Sequence, residues 1–262
     1  MPVNELEVAI QAAIKASEII LENYGSYKQL DYKSDIDVVT EVDHKCEEEI
    51  TKILKELTPD YGIMAEEGTS FPGEKVWVVD PLDGTINFAH SFPIFGPSIG
   101  LCKGNEPLVG VITDPLRKEL FYAVKGSGAY VNDLYNKGTP RRIHVSDVKE
   151  LKKSIIACGL PYERQGEYYQ KLGDKLVNLE REIQSVRKLG AAALSMAYIA
   201  SGRLEGYIVS GAHPWDMAGG LIILEEAGGK ITNYQGEPYT LDTKEWMATN
   251  GHLHDMLVSM YK

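Results

Sequence analysis

The run WVVDPLDGTINF, residues 77–88, decides the reading of this chain. Trp77–Val79 has the unbroken apolar character of a buried strand, and it passes directly into Asp80. Pro81 has no N–H to give to a sheet, so the strand is expected to end there. Asp83-Gly84 is a turn pair. Two carboxylates three residues apart, at the open end of a buried strand, reach into the same small volume. That much charge is unfavourable away from water unless something neutralises it. No lysine lies between Lys75 and Lys103, and a hard cation with oxygen ligands would serve instead.

The same pattern recurs along the chain. GIMAEEG (62–68) runs from a short apolar strand into Glu66-Glu67. HPWDMAGG (213–220) puts Asp216 after a strand and a turn, where a helix should begin and a carboxylate can cap it. VVTEVD (38–43) puts Asp43 at the start of a further helix. Taken singly, these are a turn, a solvated strand end, a helix cap and a surface charge. Taken together, with few basic residues in the same segments, they point to a divalent-metal site. Because the acids are dispersed, magnesium fits better than calcium, for it is held by few carboxylates plus waters and phosphate oxygens.

Length and charge narrow the classes. The chain has 262 residues, with 44% hydrophobic and 25% charged content, as in an ordinary globular protein. A net charge of −11 disfavours binding to nucleic acid or to an anionic membrane by bulk electrostatics. Cys46, Cys102 and Cys158 are scattered and odd in number, as expected of reduced thiols. The N-terminus is broken by Glu and Lys, unlike a signal peptide, and no apolar run reaches the ~18 residues of a membrane span. A cytoplasmic setting is expected.

Helices are expected over 4–24 and about 42–57, the first burying Ile10, Ala13, Ile14, Ser17, Leu21 and Tyr24. Strands are expected at Gly62–Ala65, Val76–Val79, Ser98–Lys103, Leu108–Thr113 and Glu119–Val124, the later ones as an antiparallel meander. Beyond about 150 strands alternate with helices, which indicates an α/β arrangement. Two closely packed lobes are expected, residues 1–140 and 141–262.

At WVVDPLDGTINFAH (77–90) and PWDMAGGLIILEEAGG (214–229), with MAEEG (64–68) and VVTEVD (38–43) upstream, the chain resembles the inositol monophosphatase family of magnesium-dependent, lithium-sensitive phosphatases. The resemblance implies an α/β (α+β) fold, a layered αβαβα sandwich, usually in a homodimer. It implies a phosphoric monoester hydrolase acting on a small phosphate monoester, with two to three Mg2+ per site. Glu66, Asp80 and the Leu82 carbonyl would hold one metal, Asp80, Asp83 and Asp216 a second, and Glu66 a third through waters. Asp43 and Thr85 would orient the attacking water, and the Gly84 and Thr85 amides would take phosphate oxygens.

Gly190, Ala191 and Ala192 would line the substrate pocket, although this stretch also reads as simple close packing at a helix start. His213 would touch substrate or support Asp216. In animal members a glutamate seven residues before the Trp-Asp aspartate binds inositol hydroxyls. Val209 stands there, and it accepts no hydrogen bond. Fructose 1,6-bisphosphate and the 2′-phosphate of NADP are therefore alternative substrates. A regulatory binding protein on the same scaffold is an alternative of another class.

Overall fold

A computed structural model describes residues 4–25, 31–32, 38–135, 138–161 and 165–261. Met1–Val3 of the N-terminal reading, and Asn136 and Lys137 near the expected lobe boundary, lie outside them. In chain order the elements are α1 (Glu5–Asn23), β1 (Asp31–Tyr32), β2 (Val38–Val39), α2 (Glu41–Leu57), β3 (Gly62–Ala65), β4 (Ser70–Phe71), β5 (Val76–Asp83) and α3 (Thr85–Ala89). Then come β6 (Gly96–Lys103), β7 (Glu106–Asp114), β8 (Glu119–Val124), β9 (Ala129–Asp133), β10 (Arg141–Ile143), a short 3-10 turn and β11 (Ile155–Gly159). The chain finishes with α4 (Gly166–Glu182), β12 (Ser185–Arg187), α5 (Ala192–Ala200), β13 (Gly206–Ser210), α6 (Pro214–Glu226), β14 (Lys230–Asn233), β15 (Glu245–Thr249) and α7 (His254–Tyr261).

These elements stack in five layers. The helices α1 and α2 cover one face of an eight-stranded sheet ordered β10-β9-β8-β7-β6-β5-β3-β4. The helices α5 and α6 fill the space between its other face and a five-stranded sheet ordered β12-β11-β13-β15-β14. The outer face of the second sheet carries α4 and α7. This is the αβαβα sandwich expected from the sequence. Strands β5 to β10 form the antiparallel meander, and β3 joins β5 in parallel.

Helix α1 begins at the Asn4 cap, whose side chain accepts from the Glu7 N–H. Its buried stripe agrees with the expected one at Ala13 and Ser17 and differs elsewhere: Ala9, Ala12, Ala16 and Ile20 are fully buried, while Ile10 and Ile14 lie at its margin. Small side chains win the inner face because α1 must pack against α2 and against β6 and β7 at once. Helix α2 begins at the Thr40 cap with Asp43 as its capping-box partner. Val42, Cys46, Ile50 and Leu54 are fully buried, each of the larger ones contributing ~1.5–3 kcal/mol by its removal from water.

Helix α6 fixes the site most directly. A Cβ at Gly100 or Gly110 would stand 2.7 Å from the Ala218 carbonyl oxygen or 2.2 Å from that of Gly219. The backbone of α6 thus rests directly on β6 and β7, a depth that only glycine permits. A Cβ at Gly220 would meet the Met196 sulfur of α5 at 2.6 Å, so the two middle-layer helices are equally close.

Candidate active site

Strand β5 does not stop at Pro81. It runs on to Asp83, with a register shift in which Asp80 faces Ser98 and Asp83 faces Gly96. Between these pairs Pro81 and Leu82 on β5 thus answer Pro97 alone on β6, a β-bulge that contains the proline. In a regular strand, residues three apart point to opposite faces. The bulge removes that alternation, and both carboxylates line one cavity. Glu66 joins them through the parallel pairing: Ala65 lies beside Val79, so the next residue of each strand emerges at the same sheet edge. The Glu66 N–H donates to the Val79 carbonyl at 3.2 Å.

Asp83 also holds the middle layer. Its Oδ1 accepts the Ala192 N–H at 2.7 Å and its Oδ2 the Leu194 N–H at 3.2 Å. Helix α5 has no cap from its own N-cap residue, Ala191, and Asp83 supplies one from 109 positions away in sequence. Asp216 lies in the first turn of α6 and accepts the His213 N–H at 2.6 Å.

Gly84 follows at φ +91°, where a Cβ would press on the Ile94 carbonyl oxygen at 2.9 Å. Its left-handed turn starts α3 and brings Thr85 beneath Asp43. The Thr85 hydroxyl lies 2.8 Å from Asp43 Oδ1 and 3.1 Å from the Leu82 carbonyl oxygen, either of which can accept its hydrogen. Asp43 Oδ2 accepts from the Thr40 N–H at 2.8 Å and from the Thr40 hydroxyl.

The electrostatics are those of concentrated negative charge. Burial pushes the Asp80 carboxyl well above its ordinary range, and Glu66, Asp83 and Asp216 push it further. Burial raises Asp83 to about 7 against the opposing Ala192 amide, with Asp216 adding to the rise. Burial lifts Asp43 to about 6 despite the hydrogen bonds from Thr40 and Thr85. Neither Asp80 nor Asp83 has an ion pair with a described lysine or arginine.

The cavity measures about 380 Å3. Its lining includes the acids Glu66, Asp80, Asp83 and Asp216 with Leu82, Gly84 and Thr85, and also Gly190, Ala191 and Ala192 with Cys158, Lys188, Tyr207 and Val209. Asp43 stands behind Thr85 rather than in the wall. His213 is a second expected residue outside the wall. As the N-cap of α6 it gives its N–H to Asp216, and its ring stacks on Trp215 with centroids 4.9 Å apart.

Among the described residues, no three His, Cys, Asp or Glu side chains are drawn together into a ready-made cage for one ion. The fit to a metal rests instead on donor chemistry: hard, mutually repelling carboxylate oxygens, with Asp80 and Asp83 buried and Glu66 and Asp216 half-buried around them. The hydroxyl of Ser98, opposite Asp80 in the sheet, is buried without a hydrogen-bond partner.

Two residues went unread in the sequence. Glu47 is buried and holds the loop after Glu66. Its position one turn after Asp43 on α2 is a signal only once the buried face of the helix is known. Asn87 gives its amide to the Ile94 and Leu189 carbonyls at 2.7 and 2.8 Å, joining α3 to the segment before Gly190.

The chain matches the inositol monophosphatase family model over residues 2–261. Inositol monophosphatase 1 of Solanum lycopersicum is 38% identical over 260 residues, covering 97% of this chain and 93% of that protein. A protein of Thermotoga maritima named fructose-1,6-bisphosphatase/inositol-1-monophosphatase is 32% identical over 258 residues, covering 98% of this chain and 95% of that one. The crystal structure of extragenic suppressor protein suhB from Bartonella henselae superposes with a TM-score of 0.90 at 35% identity, covering 98% of this chain and 97% of that chain. By sequence over nearly its whole length, and by fold, the chain belongs to the inositol monophosphatase family.

Proposed function

We propose that this protein is a magnesium-dependent phosphomonoesterase that hydrolyses inositol monophosphate or a related small phosphate monoester. One observation carries the reading: carboxylates from three sheet and helix ends, Glu66, Asp80, Asp83 and Asp216, share one cavity wall with Thr85, whose hydroxyl is bonded to Asp43. Glu66, Asp80, the Leu82 carbonyl, Asp83 and Asp216 would hold two to three Mg2+. When bound, magnesium neutralises phosphoryl charge, acidifies water to a usable nucleophile and eases departure of the alkoxide.

The chain's own groups do the orienting. With its hydrogen given to Asp43, the Thr85 oxygen keeps lone pairs for a water hydrogen, which turns the water's own lone pair toward phosphorus. Ionised Asp43 supports that relay by holding the threonine hydrogen. The Gly84 and Thr85 amides would take phosphate oxygens, and Gly190, Ala191 and Ala192 leave room for the alcohol part. A homodimer and a cytoplasmic setting belong to the same reading.

A second substrate class is favoured by Lys188 and Val209, which line the cavity together. A cation beside an apolar side chain suits a second anionic group better than a ring of hydroxyls, as in fructose 1,6-bisphosphate. The test is phosphate release from inositol 1-phosphate, fructose 1,6-bisphosphate and NADP at equal concentration, with magnesium and with EDTA. Magnesium-dependent release from at least one substrate is expected. No release from any of them, together with a stable protein partner in a pull-down, would replace this reading by the regulatory one.

A further inference from the structure

Helix α2 carries two buried acids one turn apart, and each holds a different segment that lines the cavity. Asp43 accepts the Thr85 hydroxyl. Glu47, 5% exposed, accepts the Glu67 N–H on Oε2 at 2.7 Å and the Thr69 N–H on Oε1 at 3.0 Å. Both Glu47 oxygens are therefore spent on the backbone of the tight turn that follows β3, and Glu66 is the residue at the head of that turn. The turn is further closed by the Ala65 N–H on the Thr69 carbonyl at 2.8 Å. Gly68 in it adopts φ +116°, so the chain there follows a path that would be costly without fixed partners.

We infer that Glu47 is a positioning residue: through its paired hydrogen bonds to the Glu67 and Thr69 amides, it sets where Glu66 stands in the cavity. Thr85 and Glu66 come from segments after β5 and β3, and the acids of α2 tie both to one rigid element. The carboxylate form is needed. Its two equivalent acceptors match two N–H donors, whereas an amide side chain offers one acceptor and turns an NH2 group toward the second N–H. The inference rests on the metal-dependent reading, since Glu66 matters there as a ligand.

The experiment compares the unsubstituted protein with Glu47→Gln and with Glu49→Gln, a surface control, in three measurements. Mn2+ binding without substrate, followed by electron paramagnetic resonance, is expected to weaken about 10- to 100-fold in Glu47→Gln, the size carried by outer partners of metal ligands. The magnesium concentration for half-maximal phosphate release should rise in proportion, while KM for substrate at saturating magnesium stays within a factor of three. Amide hydrogen exchange at Glu67 and Thr69 in the unsubstituted protein should be slow, and faster in Glu47→Gln. Unchanged Mn2+ binding in a folded Glu47→Gln protein overturns the inference and leaves the phosphatase reading intact. Should that variant not fold, fast exchange at Glu67 and Thr69 in the unsubstituted protein overturns it equally. No Mn2+ binding by the unsubstituted protein brings down the metal reading, and this inference with it.

Discussion

The acidic residues of the cavity lining and its small or apolar residues are built on different principles. Among the acidic residues, Asp83 is held by two amides and Asp43 by Thr40 and Thr85, while Asp80 and Asp216 each accept one backbone N–H, from Leu82 and His213. Among the others, Gly190, Ala191, Ala192, Cys158 and Val209 offer small or apolar surfaces, and Lys188 carries the one positive charge among the described lining residues. The contrast teaches that the chemistry is specified by geometry and the choice of substrate by shape and a single charge. Substitutions should therefore act strongly and similarly for all substrates in the first group, and weakly and selectively in the second.

The largest expected effect is from Asp80→Asn. Turnover should fall about 10^3-fold or more on every substrate, in line with the loss of a charge aimed at the reacting group. The same change should raise the melting temperature of the metal-free protein, because burial and three neighbouring acids oppose ionised Asp80. A lower melting temperature in EDTA would break the picture of a repelling cluster. Next is Thr85→Ala, with a loss of about 10^2- to 10^3-fold in kcat and an unaltered circular dichroism spectrum. Thr85→Ser should recover most of it by restoring the hydroxyl.

The pH dependence is of intermediate size. Asp43 carries a pKa of about 6, raised by burial, and its ionised form is the one that draws the Thr85 hydrogen. The rate should climb about tenfold per pH unit below 6 and level off above it, with the limb lost in Asp43→Asn. Stability runs the other way. A raised carboxyl holds its proton in the folded state to higher pH than in the unfolded chain, so its contribution falls as pH rises from about 4 to about 6. The smallest effect is from Lys188→Met, under about threefold on inositol 1-phosphate and about tenfold in KM on a bisphosphate. Equal effects on both would dissolve the distinction between the two groups.

Much of the acidic group was legible because its residues sit in short, dense motifs with turn chemistry attached, as in DPLDG and PWDMAGG. The strand and helix rhythm was legible for the same reason: apolar runs between punctuating glycines and prolines. Pro81 misled, because its missing N–H was read as a stop, whereas a bulge leaves that position without a ladder partner in any case. The α1 stripe is legible at Ala13 and Ser17 but not at Ile10 and Ile14, because the inner face of a helix squeezed between two neighbours goes to small residues. Glu47 and the Asp83 cap of α5 were illegible on principle. Each acts on backbone amides far away in sequence, and an amide carries no residue signature.

The reach of Asp83 across the chain has a consequence for how the protein is born. Until residues 192–194 have emerged and docked, the Asp83 carboxylate has nothing to grip and α5 has no start. A nascent or clipped polypeptide ending earlier would carry all the acids but Asp216 as a loose, self-repelling brush, with strands already paired. Recovery of function on refolding should then report the docking of α5 on Asp83, after secondary structure has returned.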